Sequence, residues 1–175
     1  MIGLLVFILG TIGNVVFSWH FSIKEGRYHG IIRFISFECI LILIVLNGGY
    51  WFKHPFSPKQ LLSWLLLGVS LFLAIAGFLK LNKTGKPDGK FENTTVLVDT
   101  SIFAYIRHPL YMSLILLGFG IMLKHIYPVQ LLVSVINMIT LYRTAKVEEK
   151  EMIRKFGHDY IDYMRKTKMF IPFLY

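Results

Sequence analysis

The sequence predicts an all-α, multi-pass membrane protein, a bundle of about five transmembrane helices, for three reasons. Of the 175 residues, 55% are hydrophobic and only 17% are charged, which is unusual for a water-soluble domain. The apolar residues form long uncharged runs, and about 20 such residues cross the hydrocarbon core as a helix. The alternating pattern of a membrane β-barrel is absent.

Residues 1–81 hold three predicted transmembrane helices and form the first part of the chain. Their apolar runs cover residues 2–19, 31–52 and 61–81. The first run lacks a basic leading segment and a small-residue cleavage site, so we expect a retained helix rather than a signal peptide. Gly68, Ser70 and Gly77 interrupt the third run and predict close packing against another helix.

Residues 82–175 form the second part, which we expect to be catalytic. A hydrophilic connection over residues 82–107 is a candidate lid or cofactor-binding loop. Two shorter apolar runs follow, residues 109–123 and 128–142, and the break between them predicts a helical hairpin. From Arg143 onward, apolar residues recur at helical spacing among charges, which predicts an amphipathic C-terminal helix on the cytoplasmic membrane face.

The basic residues indicate how the chain is oriented in the membrane. The net charge is +9, but the basic residues flank the apolar runs, so no nucleic-acid partner is expected. With the first end of the chain outside, only Lys53, Lys59 and Lys124 of 19 basic residues face outward. The positive-inside rule then places the long loop and the tail in the cytoplasm. This predicts a site at the cell membrane of a prokaryote or the endoplasmic reticulum of a eukaryote, in contact with membrane lipids.

The stretch Tyr-Ile-Arg-His-Pro-Leu-Tyr at residues 105–111 holds the first candidate site residues. Proline is favoured at the first position of a helix, so a helix should begin at Pro109. Its first turn offers unpaired N–H groups and the positive end of a dipole beside Arg107 and His108, which suits an anionic ligand. Basic residues at a membrane border can also be topology signals and lipid-phosphate contacts.

Two further patterns lie downstream of this turn. Glu148 and Glu149 follow the predicted fifth span, where carboxylates either bind a ligand or complement a helix dipole. Residues 156–163 read Phe-Gly-x-x-Tyr-x-x-Tyr, and an aromatic stripe of this kind is more often packing than a site.

Two charged residues stand apart from these patterns. Glu38 lies within the second apolar run, where a carboxylate is costly. It either borders the path of a substrate or has a structural role, for example as a partner of Arg33. Arg143, at the predicted exit of the fifth span, either anchors the chain at the membrane border or steers an anionic substrate.

Taken together and in this order, the Arg-His-Pro-x-Tyr turn, the double glutamate, the Phe-Gly-x-x-Tyr-x-x-Tyr stretch and a terminal Ile-Pro resemble the isoprenylcysteine carboxyl methyltransferase family. They are similar also to the related phospholipid methyltransferases. The resemblance covers residues 96–172. The chain has Ser101 where the family often has glycine, and it has Lys168 and Met169 near the position of a frequent arginine.

The resemblance implies a membrane enzyme that transfers a methyl group from S-adenosyl-L-methionine to a lipophilic acceptor, most like a prenylated cysteine. By this likeness the catalytic residues are Glu148, Glu149 and Arg143. The implied cofactor-binding residues are Tyr105, Arg107, His108, Pro109, Tyr111 and Tyr160. Arginine and histidine at a helix start suit the cofactor's carboxylate, and carboxylates suit its ammonium and sulfonium groups. No metal and no obligate protein partner are expected.

The acceptor and two other functions stay open at this point. A carboxylate or thiolate acceptor needs no base, whereas an amine must be neutral, and His108 or a glutamate could take its proton. Sterol reductases look similar in the C-terminal region, so a nicotinamide-dependent reductase is one alternative. A membrane scaffold or transporter with a lipid-binding tail is the other, although polar residues within the spans are few.

Overall fold

The computed structural model describes residues 2–27, 29–88 and 93–173, so residues 89–92 of the predicted 82–107 loop lie outside the described part. Within that part the fold consists of six α-helices, and no strand is found. The helices are α1 Ile2–Phe21, α2 His29–Asn47, α3 Pro58–Thr84, α4 Pro109–Met122, α5 Pro128–Phe156 and α6 His158–Lys166. The all-α prediction is confirmed, as is the start of a helix at Pro109.

Three of the described helices are long and apolar enough to cross a membrane. They are α1, α2 with the turn that extends it to Tyr50, and α3. Helix α4 is apolar but has only 14 residues, roughly 21 Å at 1.5 Å per residue. It forms the predicted hairpin with the apolar first half of α5. By length and composition the chain is an integral membrane protein whose described part holds three helices able to cross the membrane and a shorter apolar hairpin.

The helix end predicted at Tyr142 is wrong, because α5 continues without interruption to Phe156. Charged residues end the apolar run but not the helix, since Glu, Lys and Arg all favour helical structure. The interruption comes at Gly157, whose φ of +60° lies in the region that glycine adopts most easily. The predicted single tail helix is therefore the charged half of α5 followed by the separate helix α6.

Helices α3 and α4 pack through small residues. The Ser70 hydroxyl donates to the Ser113 carbonyl at 2.8 Å. A Cβ atom added at Gly77 would lie 3.2 Å from the Leu110 side chain. Of the three small residues predicted to pack closely, Ser70 and Gly77 do so, whereas a Cβ at Gly68 would have nothing within 4 Å.

A buried amide connects α2, α4 and α5. The Ser36 hydroxyl donates to Asn137 Oδ1 at 2.6 Å, and Asn137 Nδ2 donates to the Leu114 carbonyl at 3.1 Å. A Cβ at Gly118 would lie 2.5 Å from that amide nitrogen, so glycine permits the close approach of α4 to α5. Asn137 therefore fixes how the hairpin sits on α2.

Glu38 has the structural role that the sequence left open. Its carboxylate accepts hydrogen bonds from the Thr11 hydroxyl at 2.8 Å and from the Asn14 amide at 2.7 Å, both on α1. This carboxylate therefore bonds to α1, whereas Arg33 donates to the Ser22 hydroxyl at 2.7 Å. These bonds satisfy a carboxylate that would otherwise be costly at this depth.

The connections between helices gather at two opposite ends of the bundle. At one end the α1–α2 connection meets the loop that follows α3, where Arg27 donates to Asn93 Oδ1 at 2.9 Å. At the other end, Gln60 Nε2 donates to the Lys124 carbonyl at 3.3 Å. The long loop and the tail lie at the same end, as predicted. The side of the membrane on which that end lies stays a prediction.

The role of Asn137 in holding the hairpin can be tested by substitution. Asn137→Leu keeps a similar volume but removes both interhelical hydrogen bonds, so we expect a loss of about 1 to 2 kcal/mol in stability. Thermal unfolding of the detergent-solubilised protein measures this loss. The control is Thr140→Val, because Thr140 donates to carbonyls of its own helix. Equal stability of the two variants would contradict the role of Asn137.

Candidate active site

A cavity of about 490 Å³ lies at the end of the bundle that holds the long loop and α6. Helices α1 and α3 contribute only apolar side chains to its wall, whereas most of the polar ones come from α2, from the turn before α4, from α5 and from α6. Apolar lining residues include Phe17, Phe37, Ala74, Ile75, Phe78 and Leu81. Polar lining residues include His29, Arg33, Arg107, His108, Glu148, Tyr160 and Tyr163. The cavity can therefore hold a polar and an apolar group at the same time.

Arg107 connects the long loop to α5 and α6. Its Nε donates to Glu149 Oε1 at 2.8 Å, and the two side chains are only 8% and 4% exposed. Its Nη1 donates to the carbonyls of Met164 and Thr167 at the end of α6. These carbonyls lack partners within the helix, and a cation satisfies them well. The guanidinium thus fixes α6 against α5.

The backbone of the same turn pairs with the segment after α6. The N–H of Arg107 donates to the Lys168 carbonyl at 2.8 Å, and the N–H of His108 donates to the Met169 carbonyl at 3.2 Å. The Met169 side chain is 2% exposed in an apolar cluster with Tyr111. The residues near the end of the chain therefore hold the turn before α4 in position.

His108 lies between the two glutamates. Its Nδ1 is 3.8 Å from Glu148 Oε2 and its Nε2 is 3.6 Å from Glu149 Oε1, both longer than a hydrogen bond. The ring stacks on Tyr111, with 5.4 Å between ring centres and 11° between planes. Among the described residues, His108 Nε2 and Glu148 Oε2 have no hydrogen-bond partner. These two buried polar atoms could therefore form hydrogen bonds with a ligand in the cavity.

The two glutamates differ in their surroundings. Burial raises the pKa of Glu149. Its interactions with His108 and Arg107 have a larger effect in the opposite direction and lower that pKa to about 2. Burial also raises the pKa of Glu148, yet electrostatic interactions with His108, His29 and Arg33, together with a hydrogen bond from Tyr111, lower it below its usual value. Both carboxylates are therefore ionised at neutral pH. Glu149 is committed to Arg107, whereas Glu148 lines the cavity.

Tyr160 and Tyr163 line the cavity from α6 and are 4% and 7% exposed. The Tyr163 hydroxyl donates to the Phe103 carbonyl at 2.7 Å. Burial raises the pKa of both phenols, so they are neutral hydrogen-bonding groups at neutral pH. The turn at Gly157 aims this face of α6 at the cavity. The sequence had favoured packing for this stripe, and the structure adds cavity lining to it.

The structure does not bring Tyr105 and Arg143 to the cavity. Tyr105 is 57% exposed, and its ring contacts Phe173. Arg143 is exposed on α5, five residues before Glu148 and hence about 140° around the helix from it. Pro109 does line the cavity, as the first residue of α4.

Sequence reasoning missed two residues of the cavity wall on α2. His29 begins that helix, is 2% exposed and has its Nδ1 2.8 Å from Glu151 Oε2. Arg33 is one turn further on and is 5% exposed. Both line the cavity. The available signal is the spacing of four residues between a histidine and an arginine at the start of an apolar run, which places both on one helix face.

The long loop forms the remaining wall. Thr94, Leu97 and Val98 line the cavity, and Asn93 beside them accepts a hydrogen bond from Lys155 Nζ at 3.0 Å. Ser101 has a φ of +62°, a left-handed conformation that L-residues seldom adopt. Glycine adopts that conformation easily, which explains why the family described above often has glycine at this position.

Comparisons with known proteins agree on one family. The sequence model of the phospholipid methyltransferase family matches residues 58–159. The chain is 31% identical over 170 residues to the Saccharomyces cerevisiae protein-S-isoprenylcysteine O-methyltransferase, with 91% of this chain and 69% of the yeast protein covered. It is 26% identical over 107 residues to the Rattus norvegicus protein of the same name, with 61% of this chain and 36% of the rat protein covered.

The ion pair of Arg107 with Glu149 predicts how stability depends on pH. The pKa of Glu149 in the folded protein, about 2, is below the ordinary value of 4.5. Its contribution is therefore complete above pH 4.5 and is lost as the pH falls toward 2. Glu149→Gln should cost on the order of 3 kcal/mol at pH 7 and progressively less below pH 4.5.

Unfolding measured across this pH range tests the prediction. Asp162→Asn is the control, because Asp162 and Arg165 form an exposed pair, 59% and 76% exposed, and such pairs contribute little. A Glu149→Gln variant that loses no stability at pH 7, or whose loss does not change with pH, would refute the role given to this ion pair.

Proposed function

This chain belongs to the phospholipid methyltransferase family, and we propose that it transfers a methyl group from S-adenosyl-L-methionine to the carboxylate of a prenylated acceptor at the cytoplasmic membrane face. Methyl transfer as such follows from the family, whereas the donor, the acceptor and the side of the membrane are the proposal. The observation that carries it is one cavity lined both by His108 and Glu148 and by apolar side chains of α1 and α3.

The polar side chains that line the cavity match the charged groups of S-adenosyl-L-methionine. His108 and the first turn of α4 would hold its carboxylate, because unpaired N–H groups and the positive end of a dipole lie there. Glu148 would hold its ammonium, and its unpartnered Oε2 supports this role. Tyr160 and Phe156 supply aromatic surface for the adenine. When bound, the cofactor supplies an electrophilic methyl group on a sulfonium.

Glu149 supports this site without touching the cavity. It holds Arg107, and Arg107 holds the end of α6, so the pair sets the position of Tyr160. Glu149 neutralises Arg107, so Glu148 stays available to a cationic group. We therefore assign Glu149 and Arg107 to positioning, and His108, Tyr111 and Glu148 to binding.

The chain's part in the reaction is to align the acceptor and exclude water. A carboxylate oxygen of the acceptor forms a bond to the methyl carbon as the carbon–sulfur bond breaks, and the electron pair of that bond goes to sulfur. No proton moves in this step, so no residue must act as a base. The neutral phenol of Tyr160 and the ionised Glu148 are both compatible with such a reaction.

A phospholipid amine is the second candidate acceptor, and the name of the matching family favours it. An ammonium acceptor would have to lose a proton before transfer. His108 could accept that proton, because its Nε2 is without a partner among the described residues. The family match favours methyl transfer over the reductase, the scaffold and the transporter that the sequence had left open.

His108→Ala should abolish measurable binding of S-adenosyl-L-methionine without unfolding the helices. The substitution removes a buried ring that stacks on Tyr111 at the start of α4, together with its polar contacts. Calorimetric titration of the purified protein measures binding, and circular dichroism checks the helices. His158→Ala, an exposed histidine on α6, is the matched control. Unchanged affinity in the His108 variant would rule out this assignment.

Glu148→Gln should weaken cofactor binding roughly 10- to 100-fold, because it removes the charge that faces the ammonium. Some stability should be lost as well, because the lowered pKa of Glu148 means that its ionised form stabilises the fold, so circular dichroism must show that the helices remain. The same titration, with Asp162→Asn as the exposed control of equal charge change, separates the effect from a general loss of negative charge. Equal losses in both variants would argue against a specific contact with Glu148.

A further inference from the structure

We propose that Arg33, supported by His29, recognises the carboxylate of the acceptor and thereby selects an anionic head group over a cationic one. The inference rests on the proposed methyl transfer and deepens it, because it names the residue that decides the acceptor class. It also gives a function to α2, which lies outside the residues 58–159 that the family model matches.

The position of the two residues is the first argument. They are one helical turn apart on α2, and both line the cavity although they are only 5% and 2% exposed. A guanidinium carries five N–H donors in a planar fork whose geometry matches a carboxylate. One of these donors is used by the bond to the Ser22 hydroxyl at 2.7 Å, which fixes the side chain in place.

The aromatic surroundings of Arg33 are the second argument. Its guanidinium carbon lies 5.9 Å from the ring centre of Phe17 and 5.6 Å from that of Phe37. Both rings line the cavity, as do Ile75 and Phe78 on α3. An anion bound to Arg33 would therefore extend its apolar body against these side chains, where charge pairs are strong because water is scarce. This is the chemistry of an amphiphile with an acidic head.

The third argument is that α2 and the proposed cofactor site share one cavity. His29, Arg33 and Glu148 line the same cavity, and in agreement with this both α2 residues lower the pKa of Glu148. Glu148 is the residue proposed to hold the cofactor's ammonium. A head group held by Arg33 would thus lie beside the reacting methyl group.

The acceptor loses its negative charge during transfer, and its attraction to Arg33 is lost with that charge. Before transfer the carboxylate is attracted by Arg33, whereas an ammonium head group would be repelled by it. The oxygen then forms its bond to the methyl carbon, the carbon–sulfur bond breaks toward sulfur, and a neutral methyl ester is left. The product has no charge for Arg33 to hold, so it should dissociate more easily than the acceptor binds.

Two probes that differ only in charge test the proposal on the purified full chain in detergent. One is N-acetyl-S-farnesylcysteine and the other is its carboxamide, which has no negative charge. The wild type should bind the acid roughly 10- to 100-fold more tightly than the amide, the range expected for a charge-assisted hydrogen bond. In Arg33→Gln the acid should bind only as tightly as the amide, while the affinity for S-adenosyl-L-methionine stays the same.

Two control variants show whether the preference for the acid depends on Arg33 itself or only on the net charge. Lys24→Gln removes the same charge from an exposed residue at the same end of the bundle and should leave the preference intact. Arg33→Lys should restore part of it. An acid preference that persists in Arg33→Gln overturns the proposal, and so does a loss confined to cofactor affinity, which would assign Arg33 to the cofactor.

Transfer assays with labelled cofactor separate this proposal from the proposed function. Methylation of phosphatidylethanolamine but not of the farnesylcysteine acid would contradict the selection by Arg33 and leave methyl transfer in place. Binding of the acid through Arg33 without any methyl transfer to it would support the recognition site and contradict the proposed function.

Discussion

The ion pair between Arg107 and Glu149 is the interaction on which the candidate site depends. It is nearly buried, and the same guanidinium also satisfies the carbonyls at the end of α6. A buried arginine that lost its partner would be costly, so loop, α5 and α6 are held in one arrangement. That arrangement places Tyr160 in the cavity wall and leaves the neighbouring Glu148 available for a ligand.

The cavity combines two environments because it lies where helix ends meet the apolar bundle. The turn before α4 contributes Arg107 and His108, α5 contributes Glu148, and α1 and α3 contribute phenylalanines. A methyl donor that is polar and an acceptor that is largely apolar need such a shared space. Arg33 lies at the border of the two environments, between Phe17 and Phe37. The position of that one cation would then decide which acceptors react.

Local sequence patterns predicted where most helices lie. Tertiary contacts decided which side chains meet in the cavity. Pro109 started its helix as expected, and His108 met the double glutamate across the hairpin. Hydropathy misplaced the end of α5, since charge ends a membrane run without ending a helix. The spacing of His29 and Arg33 places both on one face of α2, but only the packing of α2 against α5 brings that face to Glu148.

The chemical nature of the methylated product tests the central claim most directly. Wild-type protein would be incubated with methyl-labelled S-adenosyl-L-methionine and N-acetyl-S-farnesylcysteine, and the product then treated with alkali. A methyl ester releases its label as volatile methanol, whereas methylated amines and thioethers keep theirs. We expect volatile label that disappears in the Arg33→Gln and His108→Ala variants. Label that resists alkali, or no transfer to this acceptor, would contradict carboxyl methylation.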